Sequence, residues 1–150
     1  MNTRYQQATP KDLIQLVPLI ADFYTLENIP FDKGATLNSL EELISNPSWG
    51  YLWMIKADSD LIGYLIVTLG YSLEFKGRDA FVDEIYLTEQ YRNQGIGSQV
   101  LIFAADFCKN QGVRAFHLEV ARDNERAQRV YEKLGFVKRE QYFLMTNYLK

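Results

Sequence analysis

The sequence holds a single cysteine, Cys108, and a single histidine, His117, among its 150 residues. One cysteine permits no disulfide within the chain, which fits a reducing compartment such as the cytoplasm. One cysteine with one histidine also leaves no Cys/His zinc set, so no metal is expected. Long apolar runs are missing too. The longest uncharged one, Leu61 to Leu73, is interrupted by Gly63 and Gly70 and is too short to span a bilayer. Met1 to Asp12 lack the apolar stretch of a signal peptide. Lys and Arg never cluster into a phosphate-backbone footprint, and 16 of them face 19 Asp and Glu, for a net charge of −3 and a pI near 5.2. That balance argues against nucleic acid and against an anionic membrane surface as partners.

What is present is the composition of an ordinary globular protein, 47% hydrophobic, with 10 Tyr and 9 Phe to furnish a half-buried sheet. The length fits one domain, residues 1–150, with no second substrate domain. Tyr5 to Ala8 is expected to be a first strand. Thr9 then suits an N-cap, Pro10 the first helical position and Asp12 the first turn. Leu13, Leu16, Val17 and Ile20 follow at helical spacing, where Pro18 should kink or split the helix. A second helix is expected over Thr36–Ser45, ended by Asn46-Pro47-Ser48.

Strands are expected over Tyr51–Lys56, Leu61–Leu69 and Phe81–Leu87, joined by turns at Asp58–Asp60 and Glu74–Asp79, as an antiparallel meander. Gly95–Asn110 should be a helix with Gly112 past its end. Ala115–Val120 is the next strand. Asp123 is expected to cap a helix striped with Ala127, Val130, Tyr131 and Leu134, closed by Gly135, with Phe136 folding back on it. Val137 and Tyr142–Leu149 are expected as closing strands. The sum is an α/β (α+β) fold: a mixed, largely antiparallel sheet flanked by helices on both faces.

The densest stretch is Phe81 to Val100, FVDEIYLTEQYRNQGIGSQV. A strand runs into a polar loop, then two glycines, then a helix. Glycine at 95 and 97 lets the backbone turn closely, and a helix start offers unpaired N–H groups and a positive dipole end. Together with Arg92 these suit phosphate. The dinucleotide fingerprint fails, because Val100 stands where a third glycine belongs. The P-loop fails as well, because Ser98 follows Gly97 with no Lys. Two glycines alone are equally a tight strand-to-helix turn.

The segment Arg92-Asn93-Gln94-Gly95-Ile96-Gly97 resembles the Arg/Gln-x-x-Gly-x-Gly/Ala motif of the GNAT acetyltransferase superfamily, placed directly after an apolar strand, Ile85-Tyr86-Leu87. Downstream, Asn124-x-x-Ala127-x-x-x-Tyr131-x-x-x-Gly135-Phe136 resembles that superfamily's second signature. The resemblance extends from Tyr5 to Leu149. It implies an N-acetyltransferase with acetyl-coenzyme A as co-substrate and a primary amine as acceptor. It further implies a pyrophosphate on the backbone N–H groups of Asn93 to Ser98 and a pantetheine arm beside Ile85, Tyr86 and Leu87, added like a strand. That arm needs the strand to splay from its neighbour, here Ala115–Val120. Asn124 would reach the arm, with Ala127 beside it, and Tyr131 would approach the sulfur.

Only a deprotonated amine attacks a thioester, so a carboxylate base is needed. A Tyr hydroxyl can protonate the leaving thiolate, and a strand N–H can stabilise the oxyanion. Direct attack in a ternary complex needs no enzyme nucleophile, and none of the triad arrangements is present. Asp83 and Glu84 are the carboxylate candidates. An ideal pleat sends adjacent residues to opposite faces, so one alone should face substrate unless a bulge presents both. The acidic pair resembles that of polyamine-type members, where one carboxylate is the base and the other binds substrate. From spacing alone, Tyr131 is a core aromatic; the resemblance makes it a general acid.

His117 is expected to be a half-buried, hydrogen-bonded residue and Cys108 a packed one. Trp49, Trp53, Tyr71 and Phe75 are candidates for an acceptor wall, though sheet packing or an interface suits most of them better. Glu74 is a turn charge that could attract a cation. The acceptor is expected to be a small cationic amine. A protein N-terminus or lysine, or a non-catalytic coenzyme-binding module, are the alternatives. A homodimer through Tyr142–Tyr148 pairing across subunits is compatible with the sequence, as is a monomer.

Overall fold

The computed structural model describes residues 2–149. In chain order they form β1 (Thr3–Gln7), α1 (Leu13–Leu26), α2 (Lys33–Ser45), β2 (Gly50–Ala57), β3 (Asp60–Ser72), β4 (Gly77–Leu87), α3 (Ile96–Asn110), β5 (Ala115–His117) and α4 (Glu125–Lys133). By their internal packing, residues 1–119 and 120–150 are two compact units.

The first unit is a five-stranded sheet in the order β1-β2-β3-β4-β5. The first three pairings are antiparallel and β4 with β5 is parallel. Tight turns enforce the meander: Asp58 and Lys76 adopt positive φ, the left-handed conformation a two-strand reversal requires. Alternation then sorts the side chains. Leu52, Met54, Tyr64, Ile66 and Tyr86 cluster with Leu13, Leu16, Ile20 of α1 and Leu40 of α2. On the opposite face, the rings of Tyr5, Tyr51 and Trp53 pack on Phe103 and Phe107 of α3. Helices therefore cover both faces, each buried apolar side chain contributing about 1.5–3 kcal/mol relative to exposure.

Asp12 is 7% exposed and accepts hydrogen bonds from the Thr9 N–H (2.9 Å) and hydroxyl (2.6 Å), locking a 3-10 turn over Pro10–Asp12 ahead of α1. Helix α1 is not split by Pro18, which lies on its exposed side, where the Ile14 carbonyl deprived of its donor can bond water. Helix α2 begins three residues ahead of Thr36, because the Asp32 carboxylate caps it by accepting from Ala35 N–H at 2.7 Å. Strand β4 starts at Gly77 rather than Phe81, since Gly77–Phe81 also pairs with β3.

Strand β5 is shorter than Ala115–Val120. It stops at His117, paired with β4 only over Asp79–Phe81. Past Phe81, β4 runs on to Leu87 with β3 on one side and no ladder partner on the other among the described residues. The β4–β5 ladder thus ends at Phe81 and His117, and that edge of β4 is open beyond it among the described residues. No described helix is long and apolar enough to cross a membrane.

In the second unit, Asn124 rather than Asp123 caps α4, its side chain accepting from Ala127 N–H at 3.1 Å. Gly135, at φ +93, ends the helix, and Phe136 returns on it with N–H donated to the Tyr131 carbonyl at 3.0 Å. The closing strands are not formed among the described residues. Tyr142 N–H turns back to the Arg139 carbonyl at 3.2 Å, and Phe143, Leu144 and Met145 are all exposed. Three successive apolar residues define no single face for a sheet to bury, so the pattern specifies no register.

Candidate active site

Strand β4 carries the site. Opposite β3, Ile66 pairs with Glu84 and Val67 with Val82, so Asp83 is one residue in excess. This is a β-bulge, and it cancels the strict alternation that would have parted the two carboxylates. Both Asp83 and Glu84 line one cavity of about 500 Å3 between β3–β4 and the helices α1 and α2.

Glu84 accepts a hydrogen bond from the Tyr64 hydroxyl at 2.8 Å. Tyr24, from α1, is a second donor. Removal from water raises the Glu84 pKa; the two tyrosine donors oppose this, and the neighbouring Asp83 charge reinforces it. The net direction is upward, toward the range of a working general base. Desolvation also raises Asp83, although its side chain is largely open to the cavity mouth. The tyrosines respond in kind: Tyr24 is pushed up to about 12, by burial first and then by Glu84. Tyr64, completely buried, rises further for the same reasons. Both therefore stay protonated and can donate to Glu84.

Past Leu87 the chain makes a 3-10 turn over Glu89–Tyr91, and then Arg92 folds back on the strand end. Its Nε donates to the Leu87 carbonyl at 2.7 Å, and its guanidinium lies 5.3 Å from the Tyr86 ring centroid. Arg92 thus fastens the loop to β4 while adding its charge there. Asn93 (φ 62) and Gly95 (φ 80) take left-handed conformations that swing the chain into α3. The first helical bond of α3 runs from Gln99 N–H to the Gly95 carbonyl at 3.2 Å. The N–H groups of Ile96, Gly97 and Ser98 therefore have no carbonyl one turn behind them, and they form the positive end of the helix dipole. A Cβ built at Gly95 or Gly97 would meet nothing within 4 Å, so the approach to this backbone is open. Ile96 anchors the turn, only 2% exposed. Gln94 donates its side-chain amide to the Gln90 carbonyl at 2.6 Å. Ile85, Tyr86 and Leu87 pair with β3 on one side and lie beyond the β5 ladder on the other.

The second signature folds within its own unit. Asn124 and Ala127 make the helix cap. The Tyr131 ring meets Phe136 edge-on at 6.0 Å, and burial raises its pKa.

The remaining expectations sort readily. Of the aromatic candidates, Trp49 lines the cavity and is 53% exposed, while Trp53 packs beneath α3. The Phe75 ring lies tilted at 52° to that of His117, 5.1 Å between centroids, and Tyr71 is exposed. His117 is half-buried with Nε2 3.3 Å from Asp79 Oδ2. Cys108 is buried and its thiol is pushed up to about 11 by that burial, far from a nucleophile's range. Tyr24 and Tyr64 were not singled out from sequence. The signal available was the hairpin register, which sets Tyr64 on the face of Glu84 and Tyr86.

The chain is similar to known proteins in sequence and in fold. The chain is 28% identical over 144 residues to the thialysine N-epsilon-acetyltransferase of Mus musculus, covering 89% of this chain and 84% of that one. It is 32% identical over 113 residues to a putative [ribosomal protein bS18]-alanine N-acetyltransferase of Bacillus subtilis, covering 75% and 70%. The crystal structure of a predicted acetyltransferase with acetyl-CoA from Clostridium acetobutylicum superposes with a TM-score of 0.79 at 17% identity, covering 97% and 96%. The family model described as "Acetyltransferase (GNAT) family" matches residues 17–136, which is most of the sequence, and the chain therefore belongs to the GNAT acetyltransferase family.

Proposed function

We propose that residues 1–150 form a single cytoplasmic N-acetyltransferase domain that moves acetyl from acetyl-coenzyme A to a small cationic primary amine. The observation that carries this reading is the bulge at Asp83, which turns two adjacent carboxylates into one cavity on the same strand that leads to the Gly95–Gly97 helix start. The residues fit the co-substrate. Open glycine backbone with free N–H groups accommodates a pyrophosphate, and the unpaired edge of Ile85–Leu87 can pair with an amide-bearing arm. Bound there, acetyl-coenzyme A supplies an activated thioester.

In this reading Glu84 takes a proton from the incoming ammonium, and its raised pKa suits that exchange near neutrality. Asp83 attracts and orients the cation. Backbone N–H groups of Asn93 to Ser98 hold phosphate oxygens, with Arg92 adding charge. For Asn124 and Ala127 the family resemblance implies a role toward the arm, and for Tyr131 that of proton donor to the departing sulfur. No covalent enzyme intermediate is needed. The Bacillus relative carries a second reading, a protein N-terminus as acceptor.

Calorimetric titration with acetyl-coenzyme A, followed by an amine and peptide panel scored for thiol release, tests the proposal. Binding with release by a small amine supports it. Release with peptides alone moves the assignment to protein acetylation, and binding without release to a regulatory module. Asp83→Asn with Glu84→Gln should abolish turnover and leave coenzyme binding intact. Tyr131→Phe should lower kcat in a normally folded protein.

A further inference from the structure

Tyr86 stands near the end of β4, just ahead of the glycine loop, and its ring and its hydroxyl have separate tasks. The ring is buried and meets Phe23 of α1 edge-on, 6.3 Å between centroids. The Arg92 guanidinium lies 5.3 Å from the centroid of the same ring, while Arg92 Nε donates to the Leu87 carbonyl at 2.7 Å. The hydroxyl meets two charged groups, the Asp22 carboxylate of α1 and the Arg92 guanidinium. A guanidinium only donates and an ionised carboxylate only accepts, so the hydroxyl accepts from Arg92 and donates to Asp22. Burial, and after it the Asp22 charge, raise the Tyr86 pKa against the opposing effect of Arg92, so the phenol keeps the proton that this donation requires. Asp22 is otherwise an exposed helix charge. Three successive residues of α1 thus reach β4: Asp22 and Phe23 at Tyr86, and Tyr24 at Glu84.

We infer that Asp22 and Tyr86 are positioning residues for the coenzyme, Asp22 fixing the Tyr86 hydroxyl and Tyr86 fixing the Arg92 guanidinium beside the loop that receives the pyrophosphate. This rests on the acetyltransferase reading above and adds to it two residues that act through Arg92. A free arginine side chain loses rotamer freedom when it grips phosphate, and one already held loses less. The Leu87 carbonyl and the Tyr86 hydroxyl occupy part of the N–H fork and so orient the rest of it. By charge alone, a carboxylate near a phosphate site opposes coenzyme binding. Acting through Tyr86, the same carboxylate assists it. The two roles of Asp22 therefore differ in sign.

Calorimetric titration with coenzyme A, with no acceptor present, reads that sign without turnover. Asp22→Asn is a conservative change on an exposed helix surface, and Tyr86→Phe keeps the buried ring with its Phe23 and Arg92 contacts; urea melts verify that both fold. Asp22→Asn should weaken coenzyme A binding about threefold and Tyr86→Phe about threefold to tenfold. In the Tyr86→Phe background Asp22→Asn should weaken it no further, because the hydroxyl that links the two is gone. In thiol-release assays the Asp22→Asn loss should fall on the KM for acetyl-coenzyme A rather than on kcat. Tighter binding in Asp22→Asn, the result of charge removal alone, overturns the inference, as do unchanged binding and losses that add in the double variant. If Tyr86→Phe does not fold, the sign of the Asp22→Asn change decides alone. Wild-type protein that binds no coenzyme A refutes the acetyltransferase reading itself, whereas wild-type binding with an unaffected Asp22→Asn variant refutes only the positioning role.

Discussion

Tyr64→Phe isolates the hydrogen bond to Glu84, the proposed base. The Tyr64 ring is fully buried, and its hydroxyl donates to Glu84 Oε2 at 2.8 Å. Phenylalanine keeps the ring, its edge contact with Phe23 and its neighbour Tyr86, and removes one oxygen. A hydrogen bond to a charged acceptor is worth about 1.5–3 kcal/mol, and one to its protonated form about 0.5–1.5 kcal/mol. The difference, about 1–1.5 kcal/mol, favours ionised Glu84 and corresponds to about one pH unit. Losing it raises the Glu84 pKa beyond its already elevated position. The acidic limb of kcat/KM, which reports the base in the free enzyme, should therefore move about one unit to higher pH, with the plateau above it largely kept. Tyr24 remains as the second donor, so the limb should shift rather than vanish. Measurement of kcat/KM against pH, with urea unfolding to verify the fold, decides it. An acidic limb at its original pH in a folded variant would refute Glu84 as the titrating base.

Three further outcomes follow from the same structure. Glu84 is raised in the native state, so the folded protein binds its proton more tightly than the unfolded chain. The stability this contributes is present at low pH and lost as pH rises through the native pKa; Glu84→Gln should raise the urea midpoint above that pKa and leave it nearly unchanged well below the unfolded value. Asp12 is lowered, chiefly by its Thr9 hydrogen bonds, so its contribution exists above the unfolded pKa and disappears as pH falls through the native one. Asp12→Ala should cost about 1–2 kcal/mol in neutral urea melts and progressively less in strong acid. Gly63→Ala would set a Cβ 2.1 Å from the Tyr86 carbonyl oxygen, a backbone atom that cannot rotate away. A loss of about 3 kcal/mol or more by chemical denaturation is expected, and a native-like midpoint would contradict the tight β3–β4 pairing.

The parts of this molecule legible in its sequence are those fixed by neighbours in the chain. Turn residues, the Thr9–Asp12 cap and the strand–loop–glycine–helix order of Phe81 to Asn110 all depend on local chemistry, and each formed within a few residues of where the pattern set it. The cap of α4 shifted by one residue because Asp123 and Asn124 are both competent and only backbone geometry chooses between them. Longer-range features were opaque. Whether Tyr142–Leu149 is a strand depends on a partner, which its own apolar residues do not name. The donors to Glu84 lay hidden for the same reason. Tyr64 is 20 residues away and in sequence is one more aromatic in an apolar strand. Asp32 and Glu42 look like ordinary solvated helix charges until the face of α2 is seen to line the cavity.

Two acidic residues in succession within FVDEIYL oppose strand formation, and the bulge explains how β4 tolerates them. Asp83 is the residue in excess, so its charge occupies a position without a ladder partner opposite, and the pairing continues on either side through Val82–Val67 and Glu84–Ile66. Glu84 does stand in the ladder, on the face of Tyr64 and Tyr86, and is the one the sheet supplies with a hydroxyl donor. The two carboxylates are placed unequally: both are raised by desolvation, but Asp83 is the more exposed and only Glu84 is held by tyrosine hydroxyls. Glu84, the more enclosed and better held, is suited to exchange a proton, and Asp83, the freer, to meet an incoming cation. The same strand then loses β5 as a neighbour past Phe81 and delivers its open edge to the helix start at Gly95, so a single irregular strand lines the acceptor cavity and leads to the proposed coenzyme site.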